Sequence, residues 1–264
     1  MPHVRVGEVE LYHELVDCTE PWRSGAPPAV LLHALGTDRR IWLYQVPAFC
    51  ARVPTLLVDL RGHGRSSAPA TEWTITDMGR DVVRLLRHLG VERAHLIGLS
   101  LGGMVAQQFA LDYPYATASL VLADTVGGLP DAFQPTAREQ MQFIETHSMA
   151  EVAKARITRA FTDDVSPLMR GHLIETVSLN DKDTYERAAR AAFGFAPRGR
   201  LEDIAAPTLV VVGEGDRTFP LAMMEELAQR IPGARLVRIP GAGHLSNMER
   251  PQEFNGAVLE FLGV

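Results

Sequence analysis

AHLIGLSLGGM, residues 94–104, is the stretch that decides the fold. Its apolar run ends at Ser100, which has a glycine two positions before it and another two positions after it. The apolar residues indicate a short buried strand, and the residues after the serine continue as a helical pattern that stops before Pro114. A serine in a strand-to-helix turn with glycines on both sides is typical of a nucleophile elbow, which projects the hydroxyl outward. A serine that only caps the following helix is the alternative.

Strand and helix patterns alternate on both sides of this turn. The strand patterns cover a hairpin at 4–6 and 9–16, then 28–33, 53–60, 94–100, 118–124, 206–216 and 234–240. The clearest helical patterns cover 75–90, 221–232 and 250–262. Near-continuous apolar strands separated by helices indicate an α/β fold whose mostly parallel sheet is covered on both faces.

The alternation stops between residues 127 and 200, where helical patterns are joined by proline and glycine and no convincing strand is present. It resumes with the strand pattern at 206–216. We therefore predict a helical cap at 127–200, inserted after the sixth strand. The flanking parts, 1–126 and 201–264, form the core domain on this interpretation.

The composition limits the class of protein. Of the 264 residues, 46% are hydrophobic, which is enough to bury a sizeable core. A net charge of −6 disfavours nucleic acid or an anionic membrane as partner, although local arginines can still bind an acidic substrate. No apolar stretch approaches the roughly 20 residues of a membrane span, and the N-terminus alternates like a strand rather than a signal peptide. We expect a soluble, cytoplasmic protein whose Cys18 and Cys50 are free thiols, with a pairing between them as the alternative.

Acid–base side chains are concentrated where the predicted strands end. In an open α/β sheet the carboxyl ends of the strands are where ligands bind. The side chains at these ends are His33, Asp59, Ser100, Asp124, Asp216 and His244. A serine hydroxyl needs a base to take its proton, and that base needs a third group to orient it. His244 in the loop GAGH and Asp216 in VVVGEGD supply both types, so we predict a triad of Ser100, Asp216 and His244.

Other roles and other acids are open at this stage. Asp216 could instead cap the helix that follows it, and His244 could be an ordinary loop residue. Glu214 is two residues from Asp216, and Asp124 after the preceding strand is a second choice for the acid. Asp59, before RGHGRS, is expected to fix that loop, and His63 is expected to be structural.

Two backbone NH groups are candidates to bind the oxyanion. Leu101 begins the helix after Ser100, so its NH points at the reaction site. The second donor should come from the loop HALG at residues 33–36, where Leu35 is our candidate. His33, Phe143 and Phe193 are candidates to line the substrate pocket. Arg138, Arg156, Arg159 or Arg190 could receive a substrate carboxylate, or could be solvated on helix faces.

These residues together resemble the α/β-hydrolase superfamily almost from end to end. The segments LLHALGTDRRIW, LLVDLRGHGRSSAP, HLIGLSLGGMVAQQFAL, APTLVVVGEGD and GAGHLSNMERPQEF are similar to its landmarks, in their usual order. Within the superfamily, LGTD followed by Trp42, together with GLSLGG, resembles the 3-oxoadipate enol-lactonase group and its esterase relatives. The sequence departs from the superfamily at HALG, where many relatives have His-Gly-x-Gly.

The resemblance implies an eight-stranded, mostly parallel sheet, a Ser–His–acid triad and a helical cap. It also implies hydrolysis of a small ester or lactone through an acyl-enzyme, without a metal or organic cofactor. Carbon–carbon bond hydrolysis, thioester cleavage and perhydrolysis use the same triad and are alternatives, as is a slow-turnover, receptor-like binding protein. The partner is expected to be a small molecule, and a homo-oligomeric state is left open.

Overall fold

Eight strands form one sheet in the computed structural model of the chain, which describes residues 2–20 and 25–264. The strands are β1 (His3–Val6), β2 (Val9–Val16), β3 (Ala29–Leu32), β4 (Thr55–Val58), β5 (Ala94–Leu99), β6 (Thr117–Ala123), β7 (Thr208–Gly213) and β8 (Arg235–Ile239). Their order across the sheet is β1-β2-β4-β3-β5-β6-β7-β8. Among these strands β2 alone runs against its neighbours. The predicted mostly parallel sheet is confirmed.

Ten α-helices accompany the sheet in the described residues. They are α1 (Val46–Phe49), α2 (Ile75–His88), α3 (Leu101–Asp112), α4 (Gln134–Thr146), α5 (Met149–Ala160), α6 (Pro167–Ser178), α7 (Lys182–Phe193), α8 (Leu221–Arg230), α9 (Ser246–Glu249) and α10 (Pro251–Leu262). Short 3-10 turns lie at Arg39–Trp42, Pro114–Ala116, Asp131–Phe133 and Leu201–Asp203. None of the helices in the described ranges is long and apolar enough to cross a membrane.

Local sequence explains where these elements begin and end. Thr74 and Asp77 form a reciprocal capping box that starts α2, and Arg87 and His88 lie in its last turn, where the helix dipole favours positive charge. All four residues of β3 are fully buried, because helices cover both faces of the parallel part of the sheet.

The chain between β6 and β7 contains α4 to α7 and no strand, as expected from the sequence. We refer to residues 127–200 as the helical segment. Its buried side chains, such as Ile144, Phe161 and Tyr185, belong to the same hydrophobic cluster as the residues of the sheet. The division of the chain into a core domain and a separate cap domain stays a prediction.

Direct hydrogen bonds also join the helical segment to the rest of the molecule. The NH of His244 donates to Ala160 O at the end of α5, at 2.8 Å. Asn180 Nδ2 donates to Gly36 O in the loop after β3, at 2.9 Å. The helical segment is therefore anchored to two of the loops at the carboxyl edge of the sheet. Cys18 and Cys50 are free thiols.

Candidate active site

Ser100 occupies a strained turn between β5 and α3. Its backbone has φ 52° and ψ −111°, a conformation that non-glycine residues rarely adopt. A Cβ atom at Gly98 would collide with the Gly102 carbonyl, and one at Gly102 would collide with the Leu32 carbonyl of β3. The spacing of the glycines therefore follows from close approach of backbone on both sides of the serine.

Hydrogen bonds to neighbouring elements hold this turn in place. The NH of Ser100 donates to Ala123 O at 2.9 Å, which continues the pairing of β5 with β6. Its carbonyl accepts from Thr125 Oγ1 at 2.8 Å. Because the two backbone groups are bonded to the last residue of β6 and to a residue just after it, the sheet determines the position of the Ser100 hydroxyl.

His244 and Asp216 extend a hydrogen-bond chain from Ser100. His244 Nε2 lies 2.9 Å from Ser100 Oγ, and His244 Nδ1 lies 2.8 Å from Asp216 Oδ2. A carboxylate only accepts hydrogen bonds, so Nδ1 carries the proton, and Nε2 is free to accept the serine proton. The side chains of His244 and Asp216 are 5% and 1% exposed, so little water competes with these bonds. The arrangement can activate a serine nucleophile.

The electrostatic environment favours a basic His244. Burial by itself would lower the pKa of His244. The charge and hydrogen bond of Asp216, aided by the charge of Asp124, outweigh burial and raise the pKa above its ordinary value. The guanidinium of Arg156 acts in the opposite direction and limits the increase.

The loop around Asp216 orients its carboxylate. Oδ1 accepts the NH groups of Thr218 and Phe219, at 2.6 and 3.2 Å, which leaves Oδ2 for His244. Helix α8 begins only at Leu221, so Asp216 does not cap it as the alternative interpretation required. Glu214 is exposed and contributes no hydrogen bond to His244 in the described residues.

Asp124, the second choice for the acid, joins three elements instead. It follows β6 with φ 45° and is fully buried. Oδ1 accepts the Gly213 NH at 2.8 Å, and Oδ2 accepts the Ser246 NH and hydroxyl at 3.0 and 2.6 Å. Burial, reinforced by the charge of Asp216, raises the pKa of Asp124 to about 7. The carboxyl group therefore ties the end of β7 to the start of α9, next to His244.

The candidate oxyanion donors lie beside Ser100. Leu101 is the first residue of α3, so its NH has no acceptor within the helix. Leu35 lies in the loop after β3 and lines the same cavity as Ser100. Neither NH donates to another group in the part of the chain that the structure describes. The two donors are thus available to a ligand, and their assignment to an oxyanion stays a prediction.

His33 does not line the cavity, contrary to expectation. It is fully buried, and its Nε2 accepts the Leu60 NH at 2.9 Å. Its Nδ1 must then carry the proton, and it donates to Ala34 O at 2.9 Å. Burial lowers the pKa of His33 to about 4, which keeps the ring neutral. The imidazole holds the loop that carries Leu35 in place. His33 therefore supports the site and does not face the cavity.

Two further residues at the strand ends are also structural, as expected. Asp59 is fully buried, and its carboxylate accepts the NH groups of Arg39 and Arg65 at 2.8 and 2.9 Å. His63 is 1% exposed, and its Nδ1 bonds to Arg61 O at 3.0 Å. Both side chains hold the glycine-rich loop after β4.

A cavity of about 270 Å³ opens between Ser100 and the helical segment. Residues that line it include Leu35, Phe143, Arg156, Val177 and His244. Phe143, on α4, is one of the lining residues, and its contact with a substrate stays a prediction. Phe193 ends α7, is partly buried against the hydrophobic core and is not among the lining residues, contrary to expectation.

Glu249 is a residue that sequence reasoning missed. It is 8% exposed, and Oε1 accepts the Gly243 NH at 2.7 Å. Oε2 accepts the NH and hydroxyl of Thr162, just after α5, at 2.9 and 2.5 Å. The carboxylate therefore connects the loop that carries His244 to the helical segment. A glutamate in the stretch SNMERP carries no local signal of such a role.

No group of three or more His, Cys, Asp or Glu residues in the described ranges is arranged to hold a metal ion. The charged side chains that line the cavity, besides His244, are Glu139, Arg156 and Arg159. The site is therefore equipped for acid–base and nucleophilic chemistry by side chains, with positive charge available for a ligand.

Comparisons with known proteins agree with this geometry. Residues 29–257 match the model of the alpha/beta hydrolase family. The chain is 29% identical to 3-oxoadipate enol-lactonase 2 of Acinetobacter baylyi, over 89% of this chain and 88% of that protein. It is 32% identical to a 2-hydroxy-6-oxononadienedioate/2-hydroxy-6-oxononatrienedioate hydrolase of Paraburkholderia phymatum, over 91% and 88%. The crystal structure of the enol-lactonase from Burkholderia xenovorans superposes with a TM-score of 0.92 at 31% identity, covering 100% of both chains.

Proposed function

The chain belongs to the alpha/beta hydrolase family, and from that premise we propose that it is a serine hydrolase of small carboxylic esters or lactones. The observation that carries the proposal is the continuous hydrogen-bond chain from Ser100 Oγ through His244 to Asp216. A cavity next to Ser100 and a strained turn that presents its hydroxyl support the same chemistry.

In the proposed mechanism, Ser100 Oγ attacks the carbonyl carbon as His244 Nε2 accepts its proton. Asp216 holds the imidazole in the required tautomer and stabilises the imidazolium. The NH groups of Leu35 and Leu101 donate to the oxyanion. His244 then protonates the leaving oxygen as the carbon–oxygen bond breaks, which gives an acyl-enzyme. In a lactone the leaving oxygen stays attached to the acyl chain.

The second half of the reaction repeats these steps with water. His244 takes a proton from a water molecule, which attacks the acyl carbon. The tetrahedral intermediate collapses, the Ser100 oxygen recovers a proton from His244, and the acid is released. Substrate choice on this proposal lies with the helical segment, which supplies Phe143, Arg156 and Val177 to the cavity.

The proposal is tested with a Ser100→Ala variant on short 4-nitrophenyl esters and lactones. We expect kcat to fall by a factor on the order of 10³ or more, because the nucleophile is lost. Ser166→Ala, at an exposed serine just before α6 and outside the cavity, is the matched control and should keep full activity. A fluorophosphonate should label the wild-type protein at Ser100. Ester turnover undiminished in Ser100→Ala would overturn the proposal.

A carbon–carbon bond hydrolase is the second candidate, favoured by the similarity to the Paraburkholderia phymatum hydrolase. The name of that relative describes a keto-dioate substrate rather than an ester. Including a 2-hydroxy-6-oxo-dienoate in the same screen separates the two candidates. Fast turnover of that compound, with slow turnover of esters and lactones, would favour carbon–carbon cleavage.

A further inference from the structure

Arg156 is a cavity residue that the proposed reaction does not use. It lies on α5, is half-buried, and lines the same cavity as Ser100 and His244. Within the described residues its guanidinium makes no hydrogen bond and no ion pair. A guanidinium has five donors, and no group within these residues accepts from those of Arg156. Its donors are therefore available to an acceptor that enters the cavity.

The other arginines considered from the sequence have different surroundings. Arg190 pairs with Glu72, Glu145 and Glu186 on the surface. Arg138 is exposed and lies outside the cavity, whereas Arg159 lines the cavity but is exposed. Arg156 thus combines partial burial and contact with the cavity, and it forms no ion pair within the described residues.

Electrostatics place the charge of Arg156 near the reacting groups. Burial is the largest influence on the pKa of His244, and Arg156 adds to it by lowering that pKa against the opposing effect of Asp216. Burial also raises the pKa of Tyr185, and Arg156 partly opposes that increase. One guanidinium therefore acts on both side chains, so an anion bound to it would lie within the site.

Tyr185 supplies a second unsatisfied group beside the cavity. The residue is 1% exposed, and its hydroxyl has no hydrogen-bond partner in the described residues. A Cβ atom at Gly36 would lie 2.6 Å from the Tyr185 ring and 3.3 Å from Val177, which lines the cavity. Gly36 therefore packs against both the Tyr185 ring and Val177, which places the ring next to a residue of the cavity wall. A buried hydroxyl without a partner is costly unless a ligand or water satisfies it.

We propose that Arg156, with the Tyr185 hydroxyl, forms a subsite for a carboxylate of the substrate. The preferred substrates are then esters or lactones that carry a second, anionic carboxylate group. This inference rests on the proposed function. A guanidinium can donate two parallel hydrogen bonds to a carboxylate, which fixes the orientation of the substrate as well as its position. Glu139, the acidic side chain at the cavity, is exposed and does not pair with Arg156.

The test compares two esters of equal acyl chain length, 4-nitrophenyl hydrogen adipate and 4-nitrophenyl hexanoate, with uncatalysed hydrolysis subtracted. The wild-type protein should prefer the anionic ester in kcat/KM. Arg156→Gln should lose about 10- to 100-fold in kcat/KM on the anionic ester, because a charged hydrogen bond is removed. On the neutral ester the change should be under about threefold, because only the anionic ester contacts the guanidinium. Arg138→Gln is the matched control and should change neither value.

Two further variants separate binding from structural damage. Arg156→Lys keeps the charge but not the fork of donors, so it should lie between wild type and Arg156→Gln on the anionic ester. Tyr185→Phe should lower kcat/KM more on the anionic ester than on the neutral one. Equal losses on both esters in every variant would overturn the subsite.

The pH dependence gives a readout that a loss of packing would not produce. Arg156 lowers the pKa of His244, so its removal should raise that pKa further. The acid limb of kcat/KM for the neutral ester should therefore move to higher pH in Arg156→Gln. An unshifted limb would contradict the electrostatic role.

The outcomes distinguish the two proposals. If Ser100-dependent hydrolysis of the neutral ester is absent in the wild type, the proposed function fails. If the wild type hydrolyses both esters with equal kcat/KM, the proposed function stands and the carboxylate subsite is wrong, whatever the stability of the variants.

Discussion

At Ser100 the backbone and the side chain have separate requirements. The backbone must accept φ 52°, and the neighbouring strands and helix must come close enough that Gly98 and Gly102 cannot carry a side chain. The side chain must reach His244 Nε2 at 2.9 Å. The strain of the turn is compensated by the hydrogen bonds of Ser100 to Ala123 and Thr125, so the hydroxyl is held ready before substrate binds.

Two aspartates lie near His244, and their bonds give them different roles. Asp216→Asn should lower kcat by a factor on the order of 10³ to 10⁴, because an amide beside Nδ1 favours the wrong tautomer. Asp124→Asn should lower the free energy of unfolding by about 1–3 kcal/mol, because the amide leaves a donor facing another donor. Steady-state kinetics and denaturant unfolding of both variants measure this difference.

Exposed Asp112→Asn, at the end of α3, is the control and should resemble the wild type in both measurements. A larger loss of kcat in Asp124→Asn than in Asp216→Asn, with a folded protein, would reverse the assignment of the acid.

Among the elements, short α9 and the end of α5 act together. Glu249 in α9 accepts from Gly243 and from Thr162, and the NH of His244 donates to Ala160. The loop that carries His244 is therefore bonded on two sides. Asp124, at the end of β6, binds Ser246 just after the loop, and the helical segment binds the loop itself through Ala160. Two buried carboxyl groups hold it from opposite sides.

This connection predicts the behaviour of Glu249→Gln. The amide can accept from only one of the two sides, so the free energy of unfolding should fall by about 1–3 kcal/mol and kcat/KM should fall with it. Glu253→Gln, the same change at an exposed position of α10, should leave both unchanged. Thermal unfolding and ester hydrolysis of the two variants, measured side by side, provide the test. Identical unfolding temperatures and hydrolysis rates for the two variants would show that the hydrogen bonds of Glu249 do not contribute to stability or activity.

For the whole molecule, the cavity has walls from two parts of the chain because the helical segment returns over the carboxyl edge of the sheet. Side chains from both parts form one hydrophobic cluster. Asn180 and Thr162 donate hydrogen bonds from the helical segment to the rest of the molecule, and Ala160 O accepts one from it. Substrate access and substrate choice are therefore properties of the interface between the two parts.

The shared core predicts one cooperative unfolding transition. All tryptophans of the chain lie outside residues 127–200. Trp73 lies under the guanidinium of Arg187 on α7, so tryptophan fluorescence reports on the sheet part and on its contact with α7. Far-ultraviolet circular dichroism also reports on the helices α4 to α7. The two thermal transitions should coincide, because neither part keeps its core without the other. A dichroism transition that precedes the fluorescence transition would instead indicate an independently folding cap.

Much of this architecture could be predicted because its signals are local. The strand bounds follow from short apolar runs, and the first residue of α2 follows from its capping box. The choice among four arginines could not be predicted, because helical spacing does not say which face of α5 docks on the cavity. The expected pocket roles of His33 and Phe193 were wrong because the direction of a side chain depends on packing. His33 turns to the Leu60 NH, and Phe193 packs against the hydrophobic core.

The sequence by itself determined the alternation of strands and helices, the strained turn at Ser100 and the order of the serine, acid and histidine. These depend on residues close together in the chain, where propensity, glycine spacing and strand ends act directly. Only the tertiary structure decided that Asp216 rather than Asp124 bonds to His244, that Glu249 supports the histidine loop, and that Arg156 faces the cavity. Those outcomes depend on distances between elements far apart in the chain, and packing of the whole molecule sets such distances.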